Sequence, residues 1–241
     1  MRFIYRISNN SYKKDRLVNA TKEYCFLNFL NNLYTPSDKL YIIADNINLE
    51  LSSFLNENLP DSGHIFQVST GSNGASFRLQ LDLVNQIPED EIVFLHEDDY
   101  LYKPSFSDTT FDKVNRNLVI DGLKKAHYVT LYDHPDKYLP PSSGGNPKIS
   151  DDGIEYTGIF LTPNSHWKYT NSTTLTFASF AKTLIEDKTS WAPYISGPHP
   201  HDFQAFLSLG KKGRKIASPI PGRATHCDPF NLTPFTDWNS V

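Results

Sequence analysis

The sequence predicts a single α/β domain built on a mostly parallel sheet with helices on both faces, and three observations predict it. Short β-rich runs alternate with helical patterns from residue 2 to about residue 100, which is the signature of a βαβ series. Several of those runs are continuously apolar, as in strands covered on both faces. The chain has 241 residues, enough to bury the core of one such domain without needing a second.

The elements follow in order. Phe3-Ile4-Tyr5-Arg6-Ile7 reads as the first strand. A helix is expected from about Asp15 to Leu33, because Leu17, Ala20, Tyr24, Leu27 and Leu30 recur at three- and four-residue steps, and Pro36 lies just beyond. Leu40-Tyr41-Ile42-Ile43-Ala44 is a buried strand that empties into the polar pair Asp45-Asn46. A short helix, about Leu49 to Asn58, brings the chain back for a third strand at His64 to Ser69. Gly71-Ser72-Asn73-Gly74 then turns into a helix with Phe77, Leu81, Val84 and Ile87 on one face, stopped by Pro88. The fourth strand, Glu91 to Leu95, runs directly into His96-Glu97-Asp98-Asp99.

The second half is less regular. It predicts a helix from Phe111 to Lys124, a strand at Tyr128 to Tyr132, and a mobile Pro/Ser/Gly loop from Pro140 to Pro147. Strands near Ile154 to Leu161, a helix near Phe177 to Glu186, a turn at His199-Pro200-His201-Asp202 opening a short helix to Leu209, and a last strand near Lys215 to Pro219 complete the chain.

Composition narrows the function. The net charge of -4 provides no basic footprint for nucleic acid, so a nucleic-acid partner is not expected. Cys25 and Cys227 form no CxxC pair and suggest neither a disulfide framework nor a thiolate zinc site. The first residues lack the apolar core of a signal peptide and no run is long enough to span a membrane, so a soluble, cytoplasmic protein is expected. The Asn-x-Ser/Thr triplets at Asn9, Asn19, Asn171 and Asn231 matter only on a secretory route. Neither GxGxxG nor GxxxxGK[ST] occurs, which argues against dinucleotide and P-loop chemistry.

Ligands of open α/β sheets collect at the carboxyl ends of the strands, and the polar residues cluster there. Glu97-Asp98-Asp99 sets three carboxylates side by side, an arrangement that repulsion disfavours unless a cation or hydrogen-bond donors offset it. Mn²⁺ or Mg²⁺, shared with nucleotide phosphates, would do so; a solvated acidic turn is the alternative. The glycine turn at 71–74 and the helix it opens, through Asn73 and Gly74 with Arg78 one turn in, suit an anion, although a capped helix start explains the pattern as well. Asp202 can cap the helix that begins beside it. Trp167, Trp191 and Tyr194 suit either an acceptor sugar or the core.

A buried strand ending in Glu97-Asp98-Asp99 and followed by Tyr100-Leu101-Tyr102 resembles the Asp-x-Asp element of GT-A glycosyltransferases. In order and spacing of elements the resemblance covers the first 100 residues; small virus-encoded capsid glycosyltransferases are similar in size. It implies a Rossmann-type mixed sheet, a nucleotide-sugar-binding half at 1–102 and an acceptor-binding half at 103–241. It implies a metal-dependent transferase that moves a sugar, from a UDP-sugar by preference, to a glycan or protein-linked sugar. Asp99 would bind the metal with His226, while Glu97 would face the ribose or a metal-bound water. This chain departs from the pattern by placing Glu first, which leaves Asp98 as a third participant and makes either Asp a possible direct ligand. Arg6, Ser8, Asn9 and Asp45 would flank base and ribose, and Arg78 would hold the nucleotide or brace the acidic run. Asp202 stands where an inverting enzyme keeps its general base; in a retaining one it would orient a sugar. A nucleotidyltransferase would share the sheet and carboxylates but usually has a glycine-rich loop after the first strand, which Ser8-Asn9-Asn10-Ser11-Tyr12 is not. A non-catalytic carbohydrate- or nucleotide-binding module would keep the same pocket.

Overall fold

Alternation along the central strands sends side chains to two separate cores. In β1 (Arg2–Ser8) Phe3, Tyr5 and Ile7 face one side and Ile4 the other; in β2 (Lys39–Asp45) Leu40, Ile42 and Ala44 oppose Ile43. β4 (Ile92–Glu97) repeats this with Phe94 against Val93 and Leu95. With both faces covered, the runs stay apolar apart from Arg6 in β1.

The computed structural model describes residues 1–9, 15–105, 113–146 and 157–241. Among them, β1, β2, β4, β3 (Gly63–Val68), β6 (Tyr128–Val129), β7 (Ile159–Thr162), β8 (Ser165–Thr170), β9 (Phe177–Phe180) and β10 (Ile216–Ile220) form one mixed sheet in the order β3-β2-β1-β4-β9-β6-β10-β8-β7. The first four are parallel to one another; β9 runs antiparallel to both β4 and β6. One core is closed by α1 (Lys22–Asn32), α2 (Leu49–Glu57) and α4 (Val114–Leu123), the other by α3 (Asn73–Val84), α5 (Ala181–Trp191) and α6 (Asp202–Lys211). Full burial of an apolar side chain such as Phe26 or Phe77 contributes about 1.5–3 kcal/mol.

The helix expected from Asp15 begins only at Lys22, because Thr21 caps it by accepting the Tyr24 N–H at 3.1 Å. Its buried face is Cys25, Phe26, Asn28 and Phe29 rather than the one through Tyr24, since Phe26 and Phe29 pack against Tyr5 at ring separations of 5.2 Å. Leu17 and Ala20 join a satellite cluster with Cys25, Leu101, Cys227 and Trp238. The two thiols are free, and burial together with contact from Cys25 pushes Cys227 well up.

Phe177 to Phe180, read as the start of a helix, is β9. It fills the gap between β4 and β6, and the helix follows as α5. Tyr128 to Tyr132 shortens to the two residues of β6. Three strands went unread: β8, which pairs antiparallel with β7, and β5 (Tyr100–Tyr102), which pairs antiparallel with β11 (Ala224–His226) and sets His226 opposite Tyr100. Of the expected loop 140–147, residues Pro141–Ser143 form a 3₁₀ turn, Asn146 donates to Asn171 Oδ1 at 2.9 Å, and Pro147 lies outside the described residues. The expected starts at Phe111 and Ile154, and the loop residues Asn10 to Tyr12, also lie outside them. Trp167 and Trp191 are fully buried and belong to the core.

Candidate active site

Strand register brings the polar ends together. Ser8 stands beside Asp45, and Arg6 beside Glu97, in neighbouring parallel strands. The chain leaves the sheet there, and a cleft of about 350 Å³ opens, lined by Arg6, Ser8, Arg16, Asp45, Asn46, Gly71, Ser72, Asn73, Ser76, Glu97, Asp98, Asp99, Pro198 and His199. Arg6, Ser8, Asp45, Glu97, Asp98 and Asp99, at or next to strand ends, thus share one cavity with Asn73 at the start of α3.

Each acid of the run has a different partner. Glu97 faces the Arg6 fork, which donates from Nε to Oε1 at 3.1 Å and from Nη2 to Oε2. Burial pushes Glu97 up to about 7; the pull of Arg6 opposes this, while Asp99 and Asp98 push the same way. Asp98 accepts the Ser8 N–H at 2.9 Å and the Lys22 ammonium. Asp99 lies 3.5 Å from Arg16 and 3.2 Å from His226 Nε2. Burial would lower Arg16, yet Asp99 and Asp98 outweigh it and the guanidinium is held still more firmly charged. The cations that offset the acidic run are therefore Arg6, Lys22 and Arg16.

His96, just before the run, is an aromatic core residue. It stacks on Tyr5 at 4.6 Å, and burial lowers it to about 3, so it is neutral.

Among the described residues no three His, Cys, Asp or Glu side chains converge as a metal cage. Asp99 lines the cleft and has His226 Nε2 3.2 Å away, behind it and not itself among the lining residues; an oxygen and nitrogen pair of this kind is a donor set that a divalent ion sharing phosphate oxygens could use.

The start of α3 differs from the expected anion cradle. The Gly74 N–H donates to Pro198 O at 3.2 Å and the Ala75 N–H to Ser72 Oγ at 3.1 Å, so two donors of the first turn are already used. Gly74 is needed because the Gly197 carbonyl backs onto it. Arg78 neither lines the cleft nor braces the acids; it donates to Ile195 O at 3.3 Å, and Arg6 takes the bracing part, also reaching Asn73 O. Asn9 is not among the lining residues either: its Oδ1 accepts the Asn48 N–H at 2.7 Å and joins the end of β1 to the start of α2. Asp45 accepts from Thr70 N at 3.0 Å, from the Thr70 hydroxyl and from Asn46.

Asp202 is not the expected helix cap. His201 occupies that position, and Asp202 Oδ2 instead accepts the Thr173 hydroxyl at 3.1 Å. Thr173 belongs to a turn that sequence reasoning missed. The Thr173 carbonyl accepts the Tyr100 hydroxyl at 2.7 Å, and Thr176 Oγ1 accepts the Glu97 N–H at 3.2 Å. Thr174 and Leu175 hold φ of 45° and 65°, a backbone state that costs non-glycine residues on the order of 1–3 kcal/mol and concentrates at functional sites. The signal available was the hydroxyl-rich run Asn171-Ser172-Thr173-Thr174. Arg16 and Lys22 were missed because a helix was expected to run through both.

No family model and no curated protein sequence matches the chain. Solved structures do. The galactosyltransferase LgtC, in complex with donor and acceptor sugar analogs, superposes with a TM-score of 0.51 at 11% identity over 90% of this chain and 73% of its own. The S. aureus TarS 1–349 structure gives 0.52 at 12% over 93% and 60%. GalNAc-T7 with UDP, GalNAc and Mn²⁺ gives 0.56 at 10% over 93% and 42%. The chain has the GT-A fold. A GT-A sheet is also what it shares with a nucleotidyltransferase-like neighbour, the 4-diphosphocytidyl-2C-methyl-D-erythritol synthase of Anaerococcus prevotii (TM-score 0.50, 13% identity, 98% and 90% coverage). Among the described residues no helix of this GT-A chain is long and apolar enough to cross a membrane.

Proposed function

We propose that the chain is a glycosyltransferase that moves a sugar from a nucleotide-diphosphate donor, UDP-linked by preference, to a hydroxyl of a glycan or protein-linked sugar. The observation that carries this reading is the cleft at the carboxyl ends of β1, β2 and β4. It sets the Arg6 and Arg16 guanidiniums among three carboxylates, on a fold shared with sugar transferases.

Residues 1–102 would hold the donor. Asp45, Glu97 and Arg16 line the cleft; Asp45 would accept a uracil N–H or a ribose hydroxyl, Glu97 would face the ribose, and Arg16 would pair with the diphosphate. Residues 103–241 would hold the acceptor. Its hydroxyl oxygen attacks the anomeric carbon as the bond to the diphosphate breaks, and the nucleoside diphosphate leaves with the electron pair. Asp202 takes the hydroxyl proton if configuration inverts, and orients a sugar if it is retained. Asp99 and His226 would hold Mn²⁺ or Mg²⁺, which, when bound, neutralises charge on the leaving group.

Nucleotidyl transfer is the second reading, favoured by the near-equal length of the synthase neighbour. A thermal-shift panel of UDP-, GDP-, CMP- and dTDP-sugars and of the nucleoside triphosphates, with Mn²⁺ or with a chelator, followed by analysis of the released product, tests both. Selective stabilisation by a UDP-sugar with release of UDP is expected. Release of pyrophosphate from a nucleoside triphosphate would replace the reading by the second, and binding without turnover by any acceptor would leave a carbohydrate- or nucleotide-binding module.

A further inference from the structure

The turn that supplies Pro198 and His199 to the donor cleft continues into Asp202 and Phe203, which line a second cavity of about 250 Å³. Its wall also holds His134, Asp136, Asn146 and Thr173, and, among the described residues, no lysine or arginine. Two carboxylates therefore face one small space. Asp136 Oδ2 accepts the Ser172 hydroxyl at 2.8 Å, and its Oδ1 lies 3.1 Å from His134 Nδ1. Asp202 has Oδ2 engaged by Thr173, which leaves Oδ1 as an acceptor.

Charge fixes the kind of ligand. The nearby Lys137 ammonium is turned to Asn171, outside the wall. His134 Nδ1 accepts the Asp136 N–H at 3.0 Å, so the ring carries its proton on Nε2 when neutral. Burial alone would raise Asp136, but His134, Lys137 and Ser172 outweigh it and keep the carboxyl below its usual range. An anionic ligand entering this space would face two carboxylates and, among the described residues, no lysine or arginine of the wall. A hydroxyl-bearing ring would donate to both, with the Phe203 ring as the apolar surface.

We propose that this cavity is the acceptor subsite and that it selects an uncharged, polyhydroxylated sugar ring over uronic acids and phosphorylated sugars. The proposal rests on the sugar-transfer reading for the word acceptor, but the binding selectivity does not depend on turnover.

The test uses the full chain with a matched pair of probes, an alkyl β-glucoside and the corresponding alkyl β-glucuronide. Saturation-transfer NMR measures binding, and initial rates with a UDP-sugar measure transfer. The glucoside is expected to bind and the glucuronide to bind at least tenfold more weakly. Asp136→Asn should weaken glucoside binding roughly tenfold or more, the scale of one charge-assisted hydrogen bond. It should narrow the discrimination against the glucuronide and leave the thermal shift given by the UDP-sugar unchanged. Phe203→Ala should weaken both probes alike, and it serves if Asp136→Asn does not fold. Equal binding of the two probes, or Asp136→Asn and Phe203→Ala proteins that bind the glucoside as the parent does, would overturn the proposal. Selective glucoside binding with no transfer from any donor would leave the subsite standing and remove the sugar-transfer reading instead.

Discussion

In the proposed reading Asp99 and Asp202 divide the chemistry between the two cavities, and each can be removed without removing the other. Asp99 borders the donor cleft 3.2 Å from His226 and 3.5 Å from Arg16. Asp99→Ala is expected to abolish stimulation by Mn²⁺ together with most activity; unchanged metal-stimulated turnover in a titration would remove Asp99 from the donor machinery. Asp202→Asn keeps the shape of the side chain and the contact with Thr173, so the fold and the UDP-sugar thermal shift should persist while transfer falls by roughly a hundredfold or more. Rates near normal would end the base assignment. A fall in rate with the donor's anomeric configuration kept in the product would make Asp202 an orienting residue. Arg16 and Lys22 were not legible from the sequence, because a carboxylate announces its need for a cation but not which part of the chain will supply it.

At the scale of elements, what could be read was what local physics decides. β2 and β4 hold continuous apolar runs, β1 holds one broken only by Arg6, and α2 and α3 begin at Asn48 and Ser72 caps, so their places were visible. β9 and β11 were not, because four and three residues carry too little periodicity. Pairing with β4 and β6 makes Phe177 to Phe180 a strand, and pairing with β5 carries His226 to Asp99. The contact of α3 with the 195–198 segment is equally invisible in sequence, and it yields a prediction. A Cβ at Gly74 would collide with the Gly197 carbonyl and lie 2.9 Å from that of Ile195, both backbone atoms that cannot turn aside. Gly74→Ala should therefore cost about 1–3 kcal/mol of stability. It should also weaken donor binding, since the Asn73 carbonyl held by Arg6 moves with the helix start. Gly71→Ala meets nothing within 4 Å and should cost only the strain of its φ of +78°, on the order of 1 kcal/mol. Equal melting temperatures for Gly74→Ala and the parent would contradict the packing role.

For the whole molecule, the site occupies one edge of the sheet and an ion cluster holds the opposite edge. Asp38, just before β2, is fully buried. Arg116 of α4 donates to both its oxygens at 2.6 Å, the Met1 amino group donates to Oδ1 at 2.8 Å, and Thr35 donates from N and Oγ1 to Oδ2. Burial pushes the Asp38 carboxyl up, but the hydrogen bonds from Arg116, the amino group and Thr35 outweigh it and hold it below its usual range. A carboxyl depressed in the folded state binds its proton more readily when unfolded. Its contribution is therefore fully present above the unfolded pKa, near 4, and is lost as pH falls through the lower folded value. Asp38→Asn leaves Arg116 without its counter-charge, so at pH 7 it should cost about 3 kcal/mol or more in denaturant unfolding. The gap from the parent should then narrow steadily below about pH 4, as the parent loses the same interaction. UDP-sugar binding by the folded variant at pH 7 should match the parent, because no residue of this cluster lines the cleft. A gap that stayed constant with pH, or a donor affinity that fell with stability, would show that Asp38 does not act as this separate clamp.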